Sequence, residues 1–320
     1  MSDDVRESLE IQAIACRRLG SAQYADLLEA LTAEHLAGGL VRDLLDGRSE
    51  RPVHDALPLR LLGAVHRIAL DGRAPALARR YASCGGDGGS IAVDDFLAVV
   101  ESNRAEVERG LGEQVQTNEV GRSIVLRQLS SWLAGKGVNE FDLLEVGSSA
   151  GLNLNFDRLG ELAPDAARCV ERRGSDPFPL DPADDECAKR LLSFVWPDQI
   201  ERLSRLRAAI DVARRHPQPV SRASADDFLR AQLATESSRA TVVFHSIVWQ
   251  YLDPTVRDGV RAAISENGGR RDSARPIVWA RMEPAGETAD VRVTIIDRDG
   301  RRDHVLATVG YHGQEFRWLD

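Results

Sequence analysis

The second half of the chain alternates between short apolar runs and amphipathic segments. The apolar runs are rich in β-branched and aromatic residues and cover Phe141–Val146, Arg168–Arg173, Thr241–Val248, Pro276–Ala280 and Val291–Ile296. Arg168–Arg173 is the weakest of them, and the stretch from Val220 to Asp227 ends a possible further strand and starts a helix. Several runs are nearly continuous, which is typical of parallel strands buried on both faces. We therefore predict strands at these positions.

Segments with helical spacing separate the predicted strands. They cover Asp184–Phe194, Ile200–Arg215, Ala225–Leu233 and Thr255–Glu266. Strand alternating with helix predicts an α/β fold with a Rossmann-like, doubly wound, mostly parallel sheet. Near the end of the chain, Asp299-Gly300 separates two apolar segments, which predicts a C-terminal antiparallel hairpin.

The first part of the chain shows helical spacing instead. Val5, Leu9, Ala13 and Cys16 recur at that spacing, and a further apolar stripe lies in Leu59–Leu70. We predict an all-α domain over residues 1–138, acting as a lid or substrate domain. A Rossmann-like domain is predicted over residues 139–320.

Composition narrows the functional classes. The net charge of −9 argues against nucleic-acid binding, which needs a basic face. No stretch is apolar over the ~18 residues that a membrane span needs, and the charged N-terminus does not resemble a signal peptide. The cysteines are widely spaced and no His/Cys/Glu cluster has metal-ligand spacing, so we predict a cytoplasmic protein without a metal site.

The stretch from Phe141 to Leu154 carries the main chemical signal. An apolar strand ends on Glu145, a small-residue turn runs from Gly147 through Ser149 to Gly151, and Asn153 lies in what is predicted to be the following helix. Glycines allow close backbone approach, and free N–H groups of a first helical turn would face a ligand. The G-x-S-x-G spacing resembles motif I of class I S-adenosylmethionine (SAM) methyltransferases, where an acid in the place of Glu145 faces the methionine end of SAM.

The same spacing matches the nucleophile elbow of α/β-hydrolases, with Ser149 as the nucleophile. That alternative needs a downstream Asp and His. His304 or His312, with Asp297 or Asp299, are the candidates, but they lie in the predicted hairpin. A hydrolase also needs several strands before the elbow, where this chain is helical. We therefore prefer the methyltransferase interpretation.

Acidic residues follow the next two strands. Asp176 comes after the second strand, where acids of such folds bind ribose hydroxyls, although Asp176-Pro177 also fits a simple turn. Asp226 or Asp227 is placed to meet an adenine amino group, but helix capping is the simpler interpretation.

Polar and aromatic side chains mark the exit of the fourth strand. They are His245, Ser246, Trp249, Gln250 and Tyr251. Ligands of doubly wound sheets lie beyond the carboxyl ends of the strands, so a methyl acceptor is expected here, with His245 as its base. Arg281 and Glu283 end the fifth strand, and we interpret them as surface charge.

The segment before the first strand, from Gln116 to Arg122, is also polar. Thr117 or Asn118 can cap the following helix, and Glu119 suits its first turn. Capping does not account for Arg122. A ligand-binding role for Asn118, Glu119 and Arg122 therefore stays open beside the structural one.

Together these stretches resemble one family. The motifs are Gln116–Arg122, Leu144–Leu154, Arg173–Asp181, Trp196–Gln199 and Phe244–Tyr251. On them the chain is identified as a member of a bacterial family catalogued as domain of unknown function 2332, over almost its whole length. The resemblance implies a methyltransferase-type fold and supplies no substrate. Ser149 departs from the motif I glycine of a standard methyltransferase.

The favoured hypothesis is a SAM-dependent methyltransferase acting on a small molecule. The predicted cofactor residues are Glu145, Gly147, Ser149, Gly151, Asn153, Asp176 and Asp226. A SAM- or nucleotide-binding protein without catalysis is the first alternative, and the serine hydrolase is the second. The acceptor and the oligomeric state do not follow from the sequence.

Overall fold

One eight-stranded sheet organises the C-terminal part of the computed structural model, which describes residues 2–235 and 237–319. The strands are β1 (Glu140–Val146), β2 (Arg168–Asp176), β3 (Val220–Arg222), β4 (Ala240–Ser246), β5 (Ile277–Ala285), β6 (Thr288–Asp297), β7 (Gly300–Val309) and β8 (Arg317–Trp318). Their spatial order is β3-β2-β1-β4-β5-β6-β7-β8.

The sheet is parallel from β3 to β5 and antiparallel from β5 to β8. β4 is buried at every position, which accounts for the apolar run from Val242 to Phe244 within it. Asp297 pairs with Gly300 at the predicted hairpin turn. The prediction of an α/β fold with a mostly parallel sheet, a C-terminal antiparallel hairpin and preceding helices is confirmed.

Twelve α-helices lie in the described residues, and the four that were predicted between strands begin and end within two residues of the predicted limits. They are α1 (Ser2–Arg18), α2 (Ala22–Leu36), α3 (Leu40–Leu45), α4 (Leu57–Leu70), α5 (Pro75–Ala78), α6 (Val93–Ser102), α7 (Arg104–Leu111), α8 (Ser123–Gly135), α9 (Asp185–Ser193), α10 (Ile200–Arg215), α11 (Ala225–Leu233) and α12 (Pro254–Gly268). The segment after the glycine turn, Leu152–Arg158, is a 3₁₀ helix with a kink at Asn155 rather than an α-helix.

Two apolar layers cover the two faces of the sheet. Leu143 and Phe244 point to the face covered by α8, whereas Leu144 and Val243 point to the face covered by α11 and α12. Because side chains alternate along a strand, Glu145 belongs with Leu143 and His245 belongs with Val243. The side chains of Glu145 and His245 therefore point to opposite faces of the sheet.

The chain forms two compact units. One comprises residues 1–117 and 184–207, and the other comprises residues 118–183 and 208–320. These limits differ from the predicted boundary at residue 138, since α8 buries Leu126 and Leu129 against the sheet. They also give residues 184–207 to the helical unit, where Lys189 pairs with Asp71 at 2.6 Å. The lid role of the helical part stays a prediction.

Candidate functional site

The glycine turn after β1 needs backbone conformations that most residues avoid. Gly147 and Gly151 have φ of 69°, and Ser149 has φ of 53°. A Cβ on Gly147 would lie 2.5 Å from Val248 Cγ2, and one on Gly151 would lie 2.8 Å from Val220 Cγ2. The two glycines are therefore required by close packing within the protein, whatever binds beside them.

Every backbone N–H of the turn donates a hydrogen bond within the protein. Gly147 and Ser148 donate to the Ser175 carbonyl, and Gly151 donates to Ser148. Ala150 and Leu152 donate to Asn118 Oδ1 at 3.1 and 3.3 Å. The Ser149 N–H donates to Asp176 Oδ2 at 3.0 Å. The N–H groups from Gly147 to Leu152 therefore do not provide the free donors expected for a ligand, because side chains and carbonyls already accept their hydrogen bonds.

Glu145 is the most perturbed group of the site. Its side chain is 2% exposed, and burial raises its pKa to about 8, with a further increase from the charge of Asp176. Arg122 and a hydrogen bond with Asn153 oppose this increase. Glu145 Oε2 and Asn153 Oδ1 are buried acceptors without a hydrogen-bond partner among the described residues.

Asp176 and two serines complete this group of polar residues. Asp176 Oδ1 accepts from the Phe178 N–H at 2.8 Å, so Asp176 both forms the turn at the end of β2 and ties it to the glycine turn. The hydroxyls of Ser149 and Ser175 are buried and have no hydrogen-bond partner in the described part of the chain. Asp176 thus has a structural role, and its role in ribose binding stays a prediction.

The polar segment before α8 supports the glycine turn. Asn118 has φ of 34°, and its side chain binds the turn instead of capping the helix that follows it. Glu119 takes the capping role, since its side chain accepts from the Gly121 N–H at 3.2 Å. Glu119 therefore caps the short 3₁₀ helix Val120–Arg122. The predicted cap of α8 at Thr117 or Asn118 is wrong, because α8 begins at Ser123 after Arg122 and has no side-chain cap.

Arg122 connects two strand ends. Its Nε donates to the Tyr311 carbonyl at 3.0 Å, and one terminal nitrogen donates to the Ser246 carbonyl at 3.2 Å. The guanidinium therefore holds the exit of β4 beside the segment that follows β7. It reaches Glu145 through its charge, which lowers the pKa of that carboxyl.

His245 lies in a second polar cluster, on the other face of the sheet. Its Nδ1 is 2.6 Å from Glu283 Oε1, and its ring stacks on Trp249 with centroids 5.2 Å apart. Glu283 Oε1 also accepts from the N–H groups of Val248 and Trp249. These two bonds make Oε1 an acceptor, so His245 Nδ1 carries the hydrogen. Nε2 can accept a hydrogen bond when it carries no hydrogen, and it has no partner among the described residues.

The remaining predicted residues lie apart from these two clusters. Gln250 and Tyr251 are exposed, and Tyr251 keeps 55% of its surface accessible. Asp226 accepts from Ser224 Oγ at 2.7 Å and pairs with Arg230 at 3.2 Å. Ser224 caps α11 in place of Asp226 or Asp227, because its hydroxyl accepts from the Asp227 N–H. An adenine-binding role for Asp226 stays a prediction.

The hydrolase alternative lacks the contact on which it depends. A serine nucleophile needs a base within hydrogen-bond reach. Ser149 Oγ has no hydrogen-bond partner in the described residues, and His304 packs edge-on against Trp132. The geometry therefore gives no support to a triad built on Ser149.

Three residues of β5 were not identified as a site from the sequence. Trp279, Arg281 and Glu283 line one cavity with His245, and Glu283 orients that histidine. The interpretation of Arg281 and Glu283 as surface charge is wrong, because both are partly buried. The available signal was their spacing, since residues two apart on a strand share one face.

Two searches of the described residues gave negative results. No helix there is long and apolar enough to cross a membrane. No group of three or more His, Cys, Asp or Glu side chains in the same residues is arranged to hold a metal ion.

Comparison with known proteins identifies a family. The family described as "Uncharacterized protein conserved in bacteria (DUF2332)" matches residues 6–162 and 159–318. A search of curated proteins found no match. A crystal structure of a S-adenosylmethionine-dependent methyltransferase from Clostridium acetobutylicum ATCC 824 is 10% identical, with 66% of this chain and 78% of that chain covered. Its TM-score of 0.27 is too low to support any argument. Since the family match spans nearly the whole sequence, the chain belongs to the DUF2332 family.

Proposed function

We propose that the chain is a SAM-dependent methyltransferase acting on a small molecule. The observation that carries this proposal is the pair of buried oxygen atoms near the carboxyl end of β1 that lack a partner among the described residues. They are Asn153 Oδ1 and Glu145 Oε2, and the Glu145 carboxyl becomes purely an acceptor when it loses its proton. A buried acceptor without a donor costs about 1–3 kcal/mol, so a ligand that supplies donors is favoured there.

SAM carries the kind of hydrogen-bond donors that this site lacks. Its α-ammonium group and ribose hydroxyls are hydrogen-bond donors, and Glu145, Asn153 and Asp176 would hold them. Because the turn N–H groups are occupied, the site is poorly suited to a pyrophosphate, which binds to free N–H groups. SAM has no phosphate, so the arrangement favours SAM over a dinucleotide.

His245 would act on the methyl acceptor. Glu145 pairs with Phe244, the neighbour of His245, so both clusters lie at the carboxyl edge of adjacent strands, but on opposite faces. SAM held by Glu145 would therefore have to extend across this edge to bring its methyl group to the acceptor. SAM would supply an activated methyl group, which would pass from its sulfur to the acceptor oxygen or nitrogen and leave the sulfur as a thioether. His245 Nε2 would take the acceptor's proton, while Glu283 holds the ring and stabilises the imidazolium. This hydrogen-bonded pair favours an enzyme over a protein that only binds SAM.

The other predicted substrate residues have positioning roles in this proposal. Asn118 and Arg122 hold the glycine turn and the β4 exit through backbone contacts, and Glu119 caps the intervening segment. Trp249 supplies an aromatic surface beside His245. Ser246, Gln250 and Tyr251 stay candidates for acceptor contacts at the rim.

Calorimetry with S-adenosylhomocysteine tests the cofactor site. An ammonium ligand favours the ionised form of Glu145, whose pKa is raised to about 8, so binding at pH 7 should release about one proton. Titrations in phosphate and in Tris buffer measure this release from the difference in heat. Glu145→Gln should abolish the release and weaken binding.

Glu140→Gln is the matched control, because Glu140 lies at the opposite end of β1 and pairs with Arg168. It should leave both affinity and proton release unchanged. Absence of binding heat with the native protein at millimolar concentrations would contradict the proposed function.

A further inference from the structure

A cavity of about 400 Å³ lies over the face of the sheet that α12 covers. It extends from the exit of β4 across β5, β6 and β7, and its walls include His245, Trp249, Trp279 and Arg281. The indole rings of the two tryptophans are 5.6 Å apart. Its size and aromatic lining are those of a small-molecule site.

Arg281 is the unusual cation of this cavity. The other arginines on its wall are paired: Arg292 with Asp290 at 2.7 Å, Arg301 with Asp303 at 2.8 Å and Arg261 with Asp258 at 2.8 Å. Arg281 instead lies 4.1 Å from the centre of the Trp279 ring and donates to the neutral Thr294 hydroxyl at 2.7 Å. No carboxylate of the described residues lies within ion-pair distance of it. The Thr294 hydroxyl donates to Asp303, however, and the charges of Asp303 and Glu283 partly offset the effect of burial on the pKa of Arg281.

The same wall carries hydrogen-bond donors and acceptors that lack partners among the described residues. Trp279 Nε1 and Arg281 Nε are donors without an acceptor among the described residues. His245 Nε2 and Glu283 Oε2 are acceptors without a donor in the same part of the chain. Trp279 is 5% exposed and His245 is 2% exposed, so neither can rely on bulk water. Burial also lowers the pKa of Arg281, a cost that an anion would offset.

We infer that this cavity binds a planar aromatic hydroxy acid. The carboxylate would accept from Trp279 and Arg281, the ring would pack against the tryptophans, and the hydroxyl would donate to His245 Nε2 or Glu283 Oε2. The further statement that this acid is the methyl acceptor rests on the proposed function. In that reaction the hydroxyl oxygen would take the methyl group from SAM, and His245 would take the proton of the hydroxyl. Binding of the acid itself does not depend on SAM.

Binding of 4-hydroxybenzoate tests the inference. We expect millimolar or tighter affinity, with at least tenfold weaker binding of 4-hydroxybenzamide, which keeps the ring and hydroxyl but lacks the charge. The indole N–H signal of Trp279, assigned with Trp279→Phe, should shift in ¹⁵N spectra of the native protein. Equal affinity for acid and amide, or a Trp279 signal that does not move, would overturn the inference.

Variants separate Arg281 from the other arginines. Arg281→Gln should reduce the preference for the acid over the amide to less than threefold, while Arg168→Gln, a control on β2 that does not line the cavity, should keep it. An unchanged preference in Arg281→Gln would contradict the assigned role. If Arg281→Gln does not fold, the ¹⁵N spectra of the Trp279 indole in the native protein still test whether the acid binds in this cavity. If the protein binds S-adenosylhomocysteine but does not bind 4-hydroxybenzoate, only this inference is contradicted. If it binds 4-hydroxybenzoate but not S-adenosylhomocysteine, only the proposed function is contradicted.

Discussion

At the scale of single residues, the site depends on side chains that bind backbone. Asn118 accepts two N–H groups of the glycine turn, and Asp176 accepts a third. A chain segment distant in sequence thus holds the turn in shape. Glu145, in contrast, is held in a buried environment that disfavours its charge.

Glu145 makes stability depend on pH. Its folded-state pKa of about 8 lies above the ordinary value of 4.5, so between these values the folded chain holds a proton that the unfolded chain has released. Stability from this group is therefore present below pH 4.5 and is lost as pH rises toward 8. Glu145→Gln lacks this titration.

We expect the variant to gain stability over the native chain as pH rises from 5 to 8, by up to about 1.4 kcal/mol per pH unit. Urea unfolding at pH 5, 6.5 and 8 measures the difference. A difference that does not vary with pH would mean that Glu145 is ionised in the folded state.

Asn118 tests the support of the turn. Asn118→Gly keeps the positive φ but loses the acceptor, so it should cost about 1–3 kcal/mol of unfolding free energy. Asn118→Ala should cost about 1 kcal/mol more, because alanine disfavours that φ. Equal stability of the native chain and Asn118→Gly would show that the two hydrogen bonds contribute little.

At the scale of elements, the loops after β1 and β4 pack against each other at Gly147 and Val248. Gly147→Ala should destabilise through both its φ of 69° and the 2.5 Å contact with Val248. Gly137→Ala is the control, since its φ is 83° and no atom would lie within 4 Å of the new Cβ.

Gly147→Ala should therefore cost at least about 1 kcal/mol more than Gly137→Ala. In a Val248→Ala background this excess should shrink, and a double-mutant cycle of unfolding free energies measures it. An excess that persists without Val248 would mean that the contact is not its cause.

The strands and helices could be predicted because burial leaves a local pattern. β4 is apolar since both of its faces are covered, and α11 begins and ends as predicted. The contacts of Glu283 with His245 and of Asn118 with the turn join residues far apart in sequence. They depend on strand order and backbone conformation, which local periodicity does not contain.

At the scale of the whole molecule, the division into two units assigns α8 to the sheet. Hydrogen exchange at low denaturant concentration tests this, because residues of one cooperative unit become exchangeable together. We expect the amides of residues 125–133 to become exchangeable at the same denaturant concentration as those of β1. The amides of residues 185–193 should become exchangeable together with those of α4. If the amides of α8 became exchangeable together with those of α4 instead, the result would favour the predicted boundary at residue 138.

The two outermost strands of the sheet are very short. β3 has three residues and β8 has two. A long exposed edge would invite another chain to add a strand, and shortening it is one way in which proteins prevent such aggregation. β8, however, pairs only with Ala307 and Thr308, so most of β7 remains at the edge, where the charged residues Arg301, Arg302 and Asp303 are expected to oppose the addition of a strand from another chain.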